Sequence, residues 1–144
     1  MDKRVFLDTG YLIALELASD QYHERARRHW QQAFPKVECI VTTSYVFDEA
    51  VTFFNSRNQH AKAVDIGQRL RTSDLVDLVQ VSEPLFAQGW HRLHERPDKR
   101  YSLTDCISFV VMEQRGLTTA LAFDHHFEQA GFRIAPGNSS AAFS

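Results

Sequence analysis

Five short apolar runs, each followed by apolar residues at helical spacing, constrain the fold of this chain more than any other feature of its sequence. The runs lie near residues 4–8, 38–42, 76–82, 118–124 and 132–135, and several are rich in Val or Ile, as strands are. Between them the period becomes helical. Gly10 to Leu17 is apolar on most sides, and Ser19-Asp20 offers a cap to a second helix carrying Tyr22, Ala26 and Trp30 at four-residue steps. A third helix from Ser44 repeats Val46, Phe47, Ala50, Val51 and Phe54 on one face. Further helices are expected over 59–72, over 84–95 with Leu85, Phe86, Trp90 and Leu93, over 103–115 before Gly116, and over 125–130 before Gly131. The order β-αα-β-αα-β-αα-β-α-β predicts a three-layer α/β/α sandwich around a mostly parallel five-stranded sheet.

At 144 residues the chain is expected to form a single domain, residues 1–144, in which 136–144 is a loose tail where Phe143 alone has reason to dock. Lys and Arg total 16 against 18 Asp and Glu, a formal net charge of −2. That excludes a general polyanion binder, which would be strongly basic, but not an acidic site that meets nucleic acid through metal ions. The two cysteines, Cys39 and Cys106, lack zinc-type spacing and read as reduced, buried thiols. The apolar run after the basic pair Lys3-Arg4 is too short for a signal-peptide core, so a cytoplasmic location is expected.

Four carboxylates occupy the ends of predicted strands or the opening turns of predicted helices. Asp8 closes Val5-Phe6-Leu7, and Asp124 closes Ala120-Leu121-Ala122-Phe123; Glu49 and Asp105 fall early in helices. In a parallel sheet all four crowd one edge, outside the carboxyl ends of the strands where ligands bind. Each has a structural explanation alone. Asp105 completes a capping box with Ser102, Asp124 caps the short helix after it, and Asp8 meets the positive end of a helix dipole. Glu49 lies too far into its helix to cap it, and its neighbour Asp48 suits plain solvent exposure. Together they pose a cost. Two carboxylates about 5 Å apart repel by roughly 3 kcal/mol at an effective dielectric of 20, whereas a helix dipole offsets about 1 kcal/mol. A hard divalent cation, Mg²⁺ or Mn²⁺, with oxygen ligands resolves the conflict and suits phosphodiester hydrolysis.

The segments FLDTGYLIAL, TTSYVFDEAV, YSLTDCISFVVMEQRG and ALAFDHHFEQAGF, in this order and spacing, resemble a PIN domain, and more narrowly a bacterial VapC-type toxin ribonuclease. The resemblance covers essentially the whole chain. It implies that Asp8, Glu49, Asp105 and Asp124 form the acidic cluster that binds Mg²⁺ or Mn²⁺, with Asp8 and Asp105 as principal ligands. It also implies endonucleolytic cleavage of RNA, silencing by a cognate antitoxin protein, and a homodimer. Many relatives carry Ser or Asn where this chain has Gly10, but Thr9 still supplies a hydroxyl beside the site.

The basic stretch HRLHERPDKRY (91–101) is a candidate guide for the RNA backbone, with Arg100 supplying charge and Tyr101 stacking a base; a solvated loop partly neutralised by Glu95 and Asp98 is the alternative. His125 and His126 are expected as surface residues at a helix start rather than ligands, as are His91 and His94. Arg25, Arg27 and Arg28 are expected on the outer face of the helix that buries Trp30. Rival functions are a phosphatase using Asp8 as nucleophile, which lacks its second Asp at Gly10, a receiver-like switch, and a non-catalytic PIN-fold binding or regulatory module.

Overall fold

The computed structural model describes residues 2–137; of the tail expected over 136–144, Pro136 instead closes the last strand, and residues 138–144 lie outside the described residues. Five strands alternate with helices in the expected order: β1 (Arg4–Leu7), α1 (Thr9–Glu16), α2 (His23–Ala33), β2 (Cys39–Thr43), α3 (Ser44–Asn55), α4 (His60–Thr72), β3 (Val76–Val79), α5 (Glu83–Glu95), α6 (Leu103–Gln114), β4 (Thr119–Ala122), α7 (His126–Gln129) and β5 (Arg133–Pro136). Among the described residues, a 3₁₀ turn, Phe34–Lys36, follows α2 without having been expected, and the third strand ends at Val79 rather than at residue 82. The sheet order is β3-β2-β1-β4-β5, and every neighbouring pair is parallel rather than mostly so.

Side chains alternate across the sheet and feed two cores. Val5, Leu7, Ile40 and Leu121 point to the face covered by α1, α2, α3 and α4, where Tyr11, Ala26, Ala50, Phe54 and Ile66 are buried. Phe6, Val41, Ala120 and Ala122 point to the other face, under α5, α6 and α7 with Ile107, Phe109, Met112 and Phe127. Helix α6 ends as its sequence predicts: Gly116 takes φ +65°, and the Leu117 N–H reaches back 2.8 Å to the Met112 carbonyl.

Three expectations about helix faces need correction. On α5 the buried row is Leu85 and Gly89, while Phe86 and Trp90 are 38% and 54% exposed. Gly89 explains the rotation: with no side chain, it lets α6 approach until Ile107 lies where a Cβ would be. Trp30 is only half-buried, tilted against the exposed ring of Phe34. Arg25 is not on the outer face of α2; its guanidinium lies over the rings of Phe123 and Tyr22 and donates to the Gly137 carbonyl. Both cysteines are free thiols, Cys106 buried and Cys39 half-buried. Among the described residues, no helix is long and apolar enough to cross a membrane.

Candidate active site

From β1 the chain steps one way to β2 and β3, then returns to place β4 and β5 on the other side. The point of reversal lies between β1 and β4, and in open α/β sheets the crevice at the carboxyl ends of such strands is where ligands bind. Asp8 is the first residue beyond β1. Its N–H donates to the Leu121 carbonyl at 3.0 Å, and the buried Thr42 hydroxyl of β2 donates to the Leu7 carbonyl at 2.9 Å. Both neighbouring strands therefore pin the peptide that carries Asp8. Thr42 gives no sign of this role in the sequence, where it is simply a strand threonine.

The other three acids come from separate elements. Asp105 opens α6 in the capping box its sequence predicts: its N–H donates to Ser102 Oγ at 2.9 Å, and its Oδ2 accepts the Ser102 N–H at 3.1 Å. Asp124, past β4, turns the chain into α7 by accepting the His126 N–H on Oδ1 at 2.9 Å. Glu49 is exposed on α3, and its Oε1 accepts the Thr9 hydroxyl at 2.7 Å. Thr9 is thus committed to orienting Glu49. Asp48 is exposed, as expected.

Asp8 lies within electrostatic reach of the other three acids. Asp8 is only 6% exposed, and its carboxyl is pushed up to about 8, first by burial and then by the charges of Asp105 and Asp124, with a smaller push from Glu49; the Thr9 N–H works in the opposite direction. Burial also raises Asp105, against hydrogen bonds from the Ser102 N–H and His126. Asp105, Asp124 and Glu49 all lie near enough to Asp8 for their charges to act on it, but of the four acids only Asp105 and Asp124 bring ligand atoms into one group among the described residues.

His126 contradicts its expected role as a surface residue. Its side chain is 26% exposed, and Nδ1 lies 2.9 Å from Asp105 Oδ2 and 3.3 Å from Asp124 Oδ1. Asp105, Asp124 and His126 each present a ligand atom, all within 4.8 Å of one another, among the described residues. The signal was present: a carboxylate two residues before His126 turns it inward, whereas His125, 70% exposed at its side chain, faces solvent beside Glu128. His91 pairs with Glu95 at 3.2 Å and His94 is exposed beside Trp90, so neither approaches the acids as a ligand pair.

The proposed base-stacking role of Tyr101 also fails. Its ring is 9% exposed, packed edge-on against Phe109 and His126, so it presents no face to a base. Arg100 beside it is exposed. Much of the charge of the 91–101 stretch is neutralised within the protein, Arg96 by Asp98 at 3.0 Å and Arg92 by Glu113 at 2.5 Å.

Comparison with known proteins agrees with this geometry. Residues 5–133 match the family model of the PIN domain. The 23S rRNA-specific endonuclease VapC20 of Mycobacterium tuberculosis, from strains CDC 1551 and H37Rv, is 36% identical over 128 residues, covering 89% of this chain and 95% of the relative. The crystal structure of Mycobacterium tuberculosis VapC20, described as a sarcin-ricin loop cleaving toxin, superposes with a TM-score of 0.81 at 34% identity, covering 89% of this chain and 95% of that one. A sheet reversing between β1 and β4, acids gathered at that reversal and a family match along nearly the whole chain have one reading: this protein belongs to the PIN-domain family.

Proposed function

We propose that this chain is a metal-dependent endoribonuclease and the toxin of a toxin–antitoxin pair. One observation carries the reading: Asp8 is buried at the strand reversal with three acids from remote parts of the chain near it, and burial first, then their charges, push its carboxyl up to about 8. Such a cluster suits a divalent cation. Its donors are hard carboxylate oxygens, a set that favours Mg²⁺ or Mn²⁺ over softer metals, with one imidazole hydrogen-bonded beside them. When bound, the ion draws charge from a phosphoryl oxygen and lowers the pKa of a water molecule.

The residues of the chain do the rest. Asp8 and Asp105, the two most buried acids, serve as principal ligands. Glu49, exposed at the rim and oriented by Thr9, is the carboxylate best placed to accept a proton from incoming water. Asp124, anchored through Oδ1, completes the cluster. Arg100, exposed next to the helix that carries Asp105, meets the phosphate backbone.

The likeness to a 23S rRNA-specific enzyme makes the sarcin–ricin loop the first substrate to examine. A cognate antitoxin, a homodimeric state and a cytoplasmic location belong to the same reading, and two free thiols accord with the last. The test is cleavage-site mapping on 23S rRNA with Mg²⁺ or Mn²⁺, with EDTA, and with Asp8→Asn. Discrete cuts that need metal and vanish in Asp8→Asn support the proposal. RNA binding without cleavage under every metal condition would instead identify a non-catalytic PIN-fold module.

A further inference from the structure

We infer that His126 is a positioning residue for the acidic cluster, setting the oxygens that Asp105 and Asp124 present to the cation; this rests on the metal-nuclease reading above. The hydrogen-bond pattern assigns its proton. Asp105 Oδ2 already accepts the Ser102 N–H, and Asp124 Oδ1 already accepts the His126 backbone N–H. Nδ1 faces both oxygens, at 2.9 Å and 3.3 Å, so it is the donor between two acceptors.

The consequence is geometric. One oxygen of each carboxylate is held by protein N–H groups, leaving Asp105 Oδ1 and Asp124 Oδ2 as the oxygens not claimed by these bonds. One imidazole thus ties α6 to the β4–α7 turn at the level of the carboxylates. The ring is itself held edge-on against Tyr101, which packs edge-on against Phe109 in the core. A ligand set whose orientation is fixed from behind binds metal more tightly, and removing such a partner typically weakens affinity about 10–100-fold.

Three substitutions separate this role from packing and from direct ligation. His126→Phe keeps a ring against Tyr101 but has no donor. His126→Asn places an amide N–H near the position of Nδ1. His126→Ala removes both. Calorimetric titration with Mn²⁺ is the primary readout, with thermal melts in EDTA to establish that each variant folds and RNA cleavage across Mn²⁺ concentrations as the second.

The expected result is at least tenfold weaker Mn²⁺ binding in His126→Phe and His126→Ala, recovery to within about threefold of wild type in His126→Asn, and cleavage in the Phe variant partly restored by excess Mn²⁺. Wild-type affinity in His126→Phe would overturn the inference while leaving the nuclease reading intact. Failure of His126→Asn to recover would also overturn it, pointing to the ring nitrogen as a direct ligand. A wild-type protein that neither binds Mn²⁺ nor cuts RNA would remove both readings.

Discussion

Asp8 and Leu121 are joined backbone to backbone, N–H to carbonyl at 3.0 Å, across the gap between β1 and β4. This bond extends the β1–β4 ladder one residue beyond Leu7 and fixes Asp8 alongside the strand that leads to Asp124. The burial of Asp8 beside the other acids is therefore imposed by the fold.

Stability should consequently depend on pH in an uncommon direction. A folded-state value of about 8 lies above the 3.8 of a free Asp, so the folded protein holds a proton that the unfolded chain releases. The stabilisation is complete below about pH 4 and is lost as pH rises through about 8, a difference of several kcal/mol for a displacement of this size. Denaturant melts in EDTA should show the midpoint falling between pH 5 and pH 8. Asp8→Asn, which carries no charge to lose, should flatten that dependence, raise metal-free stability at pH 8 and abolish RNA cleavage.

The same proton must leave when a cation arrives. The Mg²⁺ concentration needed for half-maximal cleavage should fall as pH rises from 6 to 8, because fewer sites remain protonated. Calorimetry in buffers of different ionisation enthalpy should register proton release at pH 7 in wild type and much less in Asp8→Asn. A metal requirement independent of pH would show that Asp8 ionises without hindrance.

Gly89 offers a test of the α5–α6 contact that does not involve the acids. A Cβ there would lie 2.4 Å from Ile107 Cγ1 and 3.3 Å from Ile107 backbone atoms, so α5 must move. Gly89→Ala should lose about 1–3 kcal/mol of stability even though Ala is the better helix former by about 1 kcal/mol. At Gly67 on α4, the nearest atom is Phe47 Cζ at 3.2 Å, the end of a half-buried ring that can shift. Gly67→Ala should be close to neutral by the same denaturant melt.

These contrasts show which parts of the molecule its sequence exposes. Strand and helix order was legible because short apolar runs, buried on both faces of the sheet, give way to apolar residues at helical spacing. Asp8 and Asp124 were legible because each directly follows an apolar run, and Asp105 because Ser102 makes a capping box around it. Orientation was not. Whether Phe86 or Leu85 faces the core depends on how near Gly89 lets α6 come, and whether His125 or His126 turns inward depends on one side-chain bond from Asp124. The burial of Tyr101 and the inward stacking of Arg25 likewise follow from tertiary contacts with no local period.

Tyr101 and Arg100 are adjacent yet should behave oppositely toward RNA. The Tyr101 hydroxyl is buried without a hydrogen-bond partner, a situation that costs about 1–3 kcal/mol, so Tyr101→Phe should match or exceed wild-type stability and leave RNA affinity unchanged. Arg100→Ala should weaken RNA binding and reduce the slope of log affinity against log salt by about 0.7, the contribution of one phosphate contact on a single strand. Filter binding at several salt concentrations separates the two, and an unaltered slope in Arg100→Ala would remove that residue from the RNA path.

Gly10 is where this chain departs from the Ser or Asn of many PIN relatives, and the structure shows room for either. It is exposed in the first turn of α1, and a Cβ there would sit 3.8 Å from Asp8 Oδ2, an ordinary contact. Its φ is not positive, so no backbone strain opposes a side chain. Gly10→Ser should therefore fold and gain about 0.5 kcal/mol from reduced freedom of the unfolded chain. Because Thr9 is already engaged by Glu49, the new hydroxyl would be the nearest uncommitted one to Asp8 on α1. It should lower the Mg²⁺ concentration required for cleavage without changing where the RNA is cut. A loss of activity in Gly10→Ser, at unchanged stability, would mean that the space beside Asp8 is needed by the substrate.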